Sequence, residues 1–445
     1  MWQRAVQCVA AIVVVWSASP APAHADRPAR LPSDAGTVTA APIAPAETTR
    51  RVTGCARTAG SITDAQAPPA GHRLLGVGDA WRFSRGAGVR VAVIDTGVTP
   101  HPRLPRIAAG GDYVTGGSGL DDCDLHGTLI AGIIAARPSD ADGFAGVAPD
   151  AEIISIRQSS GAYTADRRSI GDGVSVGAGY GPLSTLARSV VRAVDLGADV
   201  VNISEVACGT DGAVPDDAAL AAALRHAVDH DVVVVAAAGN VAAGGGCPAQ
   251  NRLSDPEHAW ESAVTVPTPA RFGREILTVG AVDADSGEPA EFSLHGPWVT
   301  LAAPGTQILS VVAGELVGAL DSESGPRTLA GTSYAAAYVS GAAALVRSRY
   351  PDLTANQVAT RLIRTAHGGP ARDPVTGFGV VDPVAALTAE LPADGALPDP
   401  DAVATVDAPP PRPDGSPRLW AIGLTAAGCL AALAVVWSLT RGHRL

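Results

Sequence analysis

The sequence predicts an α/β fold: a doubly wound, mostly parallel sheet with helices on both faces, followed by a single C-terminal transmembrane helix. Three observations carry this. Apolar runs at 90–94, 153–156, 200–203, 232–237 and 276–279 are nearly continuous, as strands buried on both faces require. Helical patterns such as 184–196 and 216–229 lie between several of them, and such alternation builds a parallel sheet. Residues 419–439 carry no charge, and about 20 residues at ~1.5 Å each cross a ~30 Å hydrocarbon core.

Along the chain, Arg4, the apolar run from Cys8 to Trp16 and Ala23-His24-Ala25 predict a signal peptide over 1–25, cut after Ala25. Its apolar stretch is too short to span a membrane comfortably. Residues 26–70 are rich in Ala, Pro and Thr, too short and core-poor for an independently folded pro-domain, and are expected to be an extension tethered to the protein that follows. The strand–helix alternation defines one domain over 71–390. Within it, 158–181 is Gly- and Ser-rich around Arg167-Arg168 and reads as a long surface loop open to nicking. Residues 333–349 are almost all small or apolar, which predicts a helix buried against the sheet and stopped by Pro351. Thr354 and Gln357 then form a capping box for a helix to about Ala366. A Pro-rich linker, 391–418, with Pro409-Pro410-Pro411, leads to the membrane helix, flanked by Trp420 and Trp437. Arg441, His443 and Arg444 in the tail, 440–445, mark the cytoplasmic side and place the domain on the extracytoplasmic side of the cell membrane.

The 445 residues suffice for one large domain of roughly 300 residues plus these appendages. Formal net charge is −12 and every basic side chain is arginine. So acidic a chain lacks the basic face that phosphate binding needs, which excludes nucleic acid as a partner.

The chemistry lies in motifs set at strand ends and helix starts. V-A-V-I-D-T-G ends on a strand at Asp95, D-L-H-G-T-L-I-A-G opens a helix at His126, and A-G-T-S-Y-A-A-A opens another at Ser333. V-V-V-V-A-A-A-G-N ends at Asn240. Each alone is weak: an Asp after a strand is usually a turn residue, and Gly-Thr-Ser is common in loops. Together and in this order they specify acyl transfer. A serine hydroxyl needs a base to take its proton as it attacks; His126 supplies one, and Asp95 would hold the imidazole tautomer. The Asn240 amide and the Ser333 backbone N–H would donate to the tetrahedral oxyanion. This chemistry needs no cofactor or metal. Asp121, Asp122 and Asp124 show no calcium-ligand register and are expected to solvate the loop beside His126. His101, His226, His258 and His295 have no partner spacing and read as surface or structural residues. An esterase on the same triad is disfavoured, because Ser333 lacks a G-x-S-x-G elbow.

Setting aside Cys8 in the leader and Cys429 in the membrane helix, Cys55, Cys123, Cys208 and Cys247 remain, an even number for an oxidising compartment. Four cysteines allow three pairings. Cys208 and Cys247 follow neighbouring strands at one sheet edge, which favours Cys208–Cys247 and leaves Cys55–Cys123. The second bridge would strap the extension beside His126. Zinc is the alternative, unsupported by any C-x-x-C.

With these motifs the chain resembles the subtilases, and more narrowly the mycosins, membrane-anchored serine proteases of type VII secretion systems. The narrower likeness rests on the two terminal apolar segments, Ser155-Ile156-Arg157-Gln158-Ser159-Ser160, the run from Val201 to Cys208, and Gly331-Thr332-Ser333-Tyr334. It implies a subtilisin-like fold, Asp95, His126 and Ser333 as triad, Asn240 as oxyanion residue, and an extension that wraps the domain without blocking it. It also implies protein substrates exported by the secretion machine and partnership with its membrane complex. Two departures from the broad subtilase pattern stand out: Tyr334 replaces the usual Met and Ala337 the usual Pro. Where many subtilases have a Gly-rich cleft edge, this chain has Ser204-Glu205-Val206, whose bulk would narrow the groove. The expectation is a serine endopeptidase of narrow specificity. The alternative is a structural clamp on the secretion complex, with proteolysis secondary.

Overall fold

The apolar runs fold into a seven-stranded sheet. The computed structural model describes residues 30–391, apart from 37, 39–41, 64, 167–178, 211–215, 243–246, 253–257, 274 and 370, together with Leu433 and Trp437. Two units are distinguished, Met1–Val403 and Ala404–Leu445. In the second, Leu433 and Trp437 are helical and exposed. Those two residues apart, the expected leader, the linker from 392 on and the membrane helix lie outside the described residues, as do Arg167 and Arg168. Among the described residues no helix is long and apolar enough to cross a membrane.

In the first unit the strands that matter are β1 (Thr49–Arg51), β2 (Arg90–Asp95), β3 (Ile107–Asp112), β4 (Glu152–Arg157), β5 (Tyr163–Ala165), β6 (Val200–Ile203), β7 (Ala207–Thr210), β8 (Val233–Ala237), β9 (Thr265–Thr268), β10 (Leu277–Val282) and β11 (Leu301–Pro304). The helices are α1 (Ala70–Leu74), α2 (Val77–Ala80), α3 (His126–Ala135), α4 (Leu183–Asp195), α5 (Ala218–Asp229), α6 (Thr332–Arg349), α7 (Ala355–Arg364) and α8 (Pro383–Thr388). The large sheet has the order β11-β10-β8-β6-β2-β4-β3, and every pairing in it is parallel. Side chains alternate between its two faces. In β2, Val91 and Val93 join the core on the α3 and α6 side, while Ala92 and Ile94 join the core on the α4 and α5 side. This is why the strand sequences lack polar alternation. From β2 the chain passes to β3 and β4 on one side, then returns to β6 on the other, so the strand order reverses at β2. Sites in open α/β sheets form at the carboxyl ends of strands at such a reversal.

Helix α6 is buried from Thr332 to Arg347, and its alanines, among them Ala335, Ala336, Ala342 and Ala343, let it lie close on the sheet. The capping box at Thr354 and Gln357 is formed as expected, and α7 ends at Arg364. Strands β3 and β11, at the sheet edges, are additions to the expected set. Their Ala- and Gly-rich sequences carry little of the β-branched signal that marks a strand.

The expectation of a surface loop over 158–181 is corrected at both ends. Gln158, Ser159, Ser160 and Tyr180 are buried. Gln158 donates to the Pro182 carbonyl at 3.2 Å and to Thr185 Oγ1 at 3.0 Å. The Ser160 hydroxyl donates to Asp124 at 2.5 Å. Polar residues were buried here through hydrogen bonds, so hydrophobic patterning gave no sign of it. Within the segment, β5 pairs antiparallel with β1 of the extension. The extension is pinned further by Ala56 N–H to the Cys123 carbonyl and Ile62 N–H to the Leu316 carbonyl, both 2.8 Å. Leu31 and Ile62 reach the two cores. Both favoured disulfides are present: Cys55–Cys123 spans 4.6 Å between Cα atoms and Cys208–Cys247 spans 5.2 Å.

Candidate active site

Asp95 ends β2 and is fully buried; His126 is the first residue of α3; Ser333 is the second residue of α6. His126 Nδ1 lies 2.8 Å from Asp95 Oδ1, and His126 Nε2 lies 2.9 Å from Ser333 Oγ. Asp95 Oδ1 also accepts from the Thr96 N–H at 2.7 Å. An ionised carboxylate only accepts, so Nδ1 carries a proton, and in the neutral imidazole Nε2 is left to accept from the serine hydroxyl. Close backbone approach makes this possible. A Cβ on Gly127 would lie 2.1 Å from the Gly97 carbonyl oxygen, so α3 can start against the turn after β2 only with glycine there.

Asn240 follows β8 at the same edge. Its Oδ1 accepts from Thr332 N–H at 2.9 Å and Thr332 Oγ1 at 3.0 Å. With the oxygen so used, Nδ2 is the group turned toward the nucleophile. A Cβ built on Gly331 would sit 3.3 Å from Asn240 Nδ2 and 3.2 Å from Ser333 Oγ, so both atoms border the space that glycine leaves open. The N-terminus of α6 adds free backbone N–H groups and the positive end of its dipole.

In the acidic loop before α3, expected to solvate the chain beside His126, Asp121 is exposed while Asp122 is turned inward. Asp122 is buried and accepts from Thr96 Oγ1 at 2.8 Å, Thr128 N–H at 2.8 Å and Thr128 Oγ1 at 2.6 Å, binding the first turn of α3 to the β2 turn. Burial pushes its carboxyl up to about 6. Asp124 accepts from Ser160 and from Gly161 N–H, and Asp121 pairs with the buried Arg157 at 3.0 Å. His101 is buried, as a structural residue would be. Sequence reasoning passed over His72, which is buried against Tyr338 and the Ala145 carbonyl; burial lowers it to about 4.

Of the expected cleft edge, Ser204 is buried and accepts from Asn202 Nδ2 at 2.7 Å, so it braces the strand end rather than facing outward. Val206 packs beside Gly239, next to Asn240. Glu205, read from sequence as bulk, brings a charge: one ligand atom each of Asp95, His126 and Glu205 lie within 4.8 Å of one another. Both imidazole nitrogens are already engaged with Asp95 and Ser333, so we read this group as an electrostatic cluster rather than a metal cage. Tyr334, in the place of the usual Met, sets its ring 5.4 Å from that of His126.

Burial opposes charge on Asp95, but His126 and the hydrogen bonds from His126 and Thr96 outweigh it and hold the carboxyl below its ordinary range. Burial likewise lowers His126, yet the charge and hydrogen bond of Asp95, then Glu205 and Asp122, reverse this and raise it to about 9. Burial first, then Asp95, pushes Glu205 up to about 7. A nucleophile, a base with a buried orienting carboxylate, and an amide beside a helix N-terminus can together carry out acyl transfer.

The subtilase family model matches residues 86–379. Mycosin-4 of Mycobacterium tuberculosis is 47% identical over 370 residues, covering 81% of this chain and 79% of the relative. MycP1 from the ESX-1 type VII secretion system superimposes with a TM-score of 0.76 at 41% identity, over 83% of this chain and 97% of that one. A chain of the periplasmic assembly from the ESX-5 inner membrane complex superimposes with a TM-score of 0.75 at 41% identity, over 86% and 100% respectively.

Proposed function

This chain belongs to the subtilase family and, within it, to the mycosins, and from that premise we propose that Asp95, His126 and Ser333 are its catalytic triad and Asn240 its oxyanion donor. The protein is a serine-type endopeptidase. The observation that carries the assignment is the unbroken chain from Asp95 Oδ1 to His126 at 2.8 Å and from His126 to Ser333 Oγ at 2.9 Å. Ser333 Oγ attacks the scissile carbonyl while His126 Nε2 takes its proton. Asp95 holds Nδ1–H and stabilises the imidazolium. The Asn240 amide and the Ser333 N–H receive the oxyanion. His126 then gives its proton to the leaving amine, and water repeats the sequence to release the acyl group.

We read the peptidase domain as 71–390, with 26–70 a retained strap rather than a discarded pro-segment; the Cys55–Cys123 bridge and the β1–β5 pairing support this. The Glu205-Val206 edge favours a narrow substrate range. Relatives drawn from type VII secretion systems, one of them seated in a periplasmic assembly, favour a protease that cuts exported proteins beside such a complex. Residues 419–439 would hold it to the membrane with the domain outside. That same assembly favours a second reading, a clamp on the complex with proteolysis secondary. Exchanging Ser333→Ala in cells separates them: secretion fails if proteolysis is the main role and persists if clamping is, while deletion of the whole protein stops it in both.

A further inference from the structure

The acyl-transfer mechanism leaves one charged group of the site without a task. Glu205 follows β6, half-buried, with a carboxylate oxygen within 4.8 Å of the ligand atoms of Asp95 and His126. A triad already has one carboxylate on its imidazole; a second acts on the same charge from another direction. We propose that Glu205 is a positioning residue for the reaction, an electrostatic brake: a second carboxylate that favours the charged form of the His126 imidazole in the free enzyme. The proposal rests on the triad reading above.

The surroundings leave Glu205 little else to act on. Asp95 from β2, Asp124 from the turn before α3, His126 from α3 itself and Ser159 from the segment after β4 are the groups that act on it. Asp122 also acts on the imidazole, and the Tyr334 ring of α6 lies against it. Arg327 acts on Tyr334. Within that ring of groups His126 alone can carry a positive charge. An opposite charge at this range favours the charged form of a titrating group, which agrees with a His126 raised to about 9 with Glu205 among its causes. Only the neutral imidazole can accept the serine proton, so a second carboxylate that favours the charged form lowers the reactive fraction on the acid side of the His126 midpoint. The same charge stabilises the imidazolium formed in the transition state, so the brake costs rate near neutrality and gains rate where His126 is already neutral.

The two sides of that trade give a signature that loss of structure alone would not. The full-length protein in detergent is labelled at Ser333 with a fluorophosphonate across pH 5.5–10.5, beside Glu205→Gln. The acid limb of the rate profile should move about one pH unit lower in the variant. On the acid side of the wild-type midpoint, where Glu205 is ionised, the variant should label faster by up to roughly tenfold, and above that midpoint more slowly, so the two curves cross. Glu205→Ala should show the same displacement without an amide in place of the carboxylate. Superimposable midpoints, or a variant slower at every pH, would overturn the brake while leaving the triad standing. No labelling of the wild type at any pH would overturn the triad reading and this inference with it.

Discussion

At the scale of single residues, the site depends on where donors point. Asn240 fixes its oxygen on Thr332, which leaves its amide free to donate to the oxyanion in the proposed mechanism. Asn240→Ala should therefore lower kcat about 100- to 1000-fold with little change in KM, in steady-state assays on a cleaved peptide. Gly331→Ala would place a Cβ 3.2 Å from Ser333 Oγ and 3.3 Å from Asn240 Nδ2. That crowding should cost roughly tenfold or more in kcat/KM with the melting temperature little changed. His126 links the site to stability. Its folded-state value, raised to about 9, lies above the ordinary 6.5. Stability from this group is thus fully present below about pH 6.5 and is lost as pH rises through about 9, a loss on the order of 3 kcal/mol. Thermal denaturation between pH 6 and 10 should show the decline, and His126→Gln should flatten it. The four proposed catalytic positions were legible in the sequence because each ends or follows a strand or sits in the first turn of a helix. The charge at Glu205 was not, since nothing in a linear pattern says that the residue after Ser204 turns toward His126.

At the scale of elements, legibility followed the kind of burial. The strands rich in Val and Ile, β2, β4, β6, β8 and β10, were readable from their continuous apolar runs; β3 and β11, built largely of Ala, Gly and Leu, were not. Segment 158–166 was misread because Gln158, Ser159 and Ser160 are buried by hydrogen bonds that leave no apolar trace. Helix α6 was legible, since small residues through its length fit only a helix pressed on a sheet. That closeness leaves no room for growth: Ala342→Leu should destabilise the protein by about 1–3 kcal/mol, read by chemical denaturation. The strap is held by a bridge whose ends are 68 residues apart. Replacing Cys55 and Cys123 with serine should cost about 2–5 kcal/mol of stability. The triad contacts should survive, so labelling at Ser333 should persist at temperatures where the variant stays folded.

At the scale of the whole molecule, the parallel sheet reverses its strand order at β2, and the site collects there. Asp95, Asn240 and the α3 and α6 N-termini meet because each follows from the carboxyl edge of one sheet or opens a helix packed on it. The extension, β5 and the two disulfides tie the periphery to this centre without adding a group to it. A protein of this design should digest few substrates; broad cleavage of casein by the purified protein would contradict the narrow cleft inferred from Glu205 and Val206. Ser333 as the nucleophile of the site is tested most directly by intact-mass analysis after fluorophosphonate treatment. One adduct, mapped to Ser333 in the wild type and lost in Ser333→Ala, is the result predicted here. An unlabelled wild type, or an adduct that persists in Ser333→Ala, would contradict it.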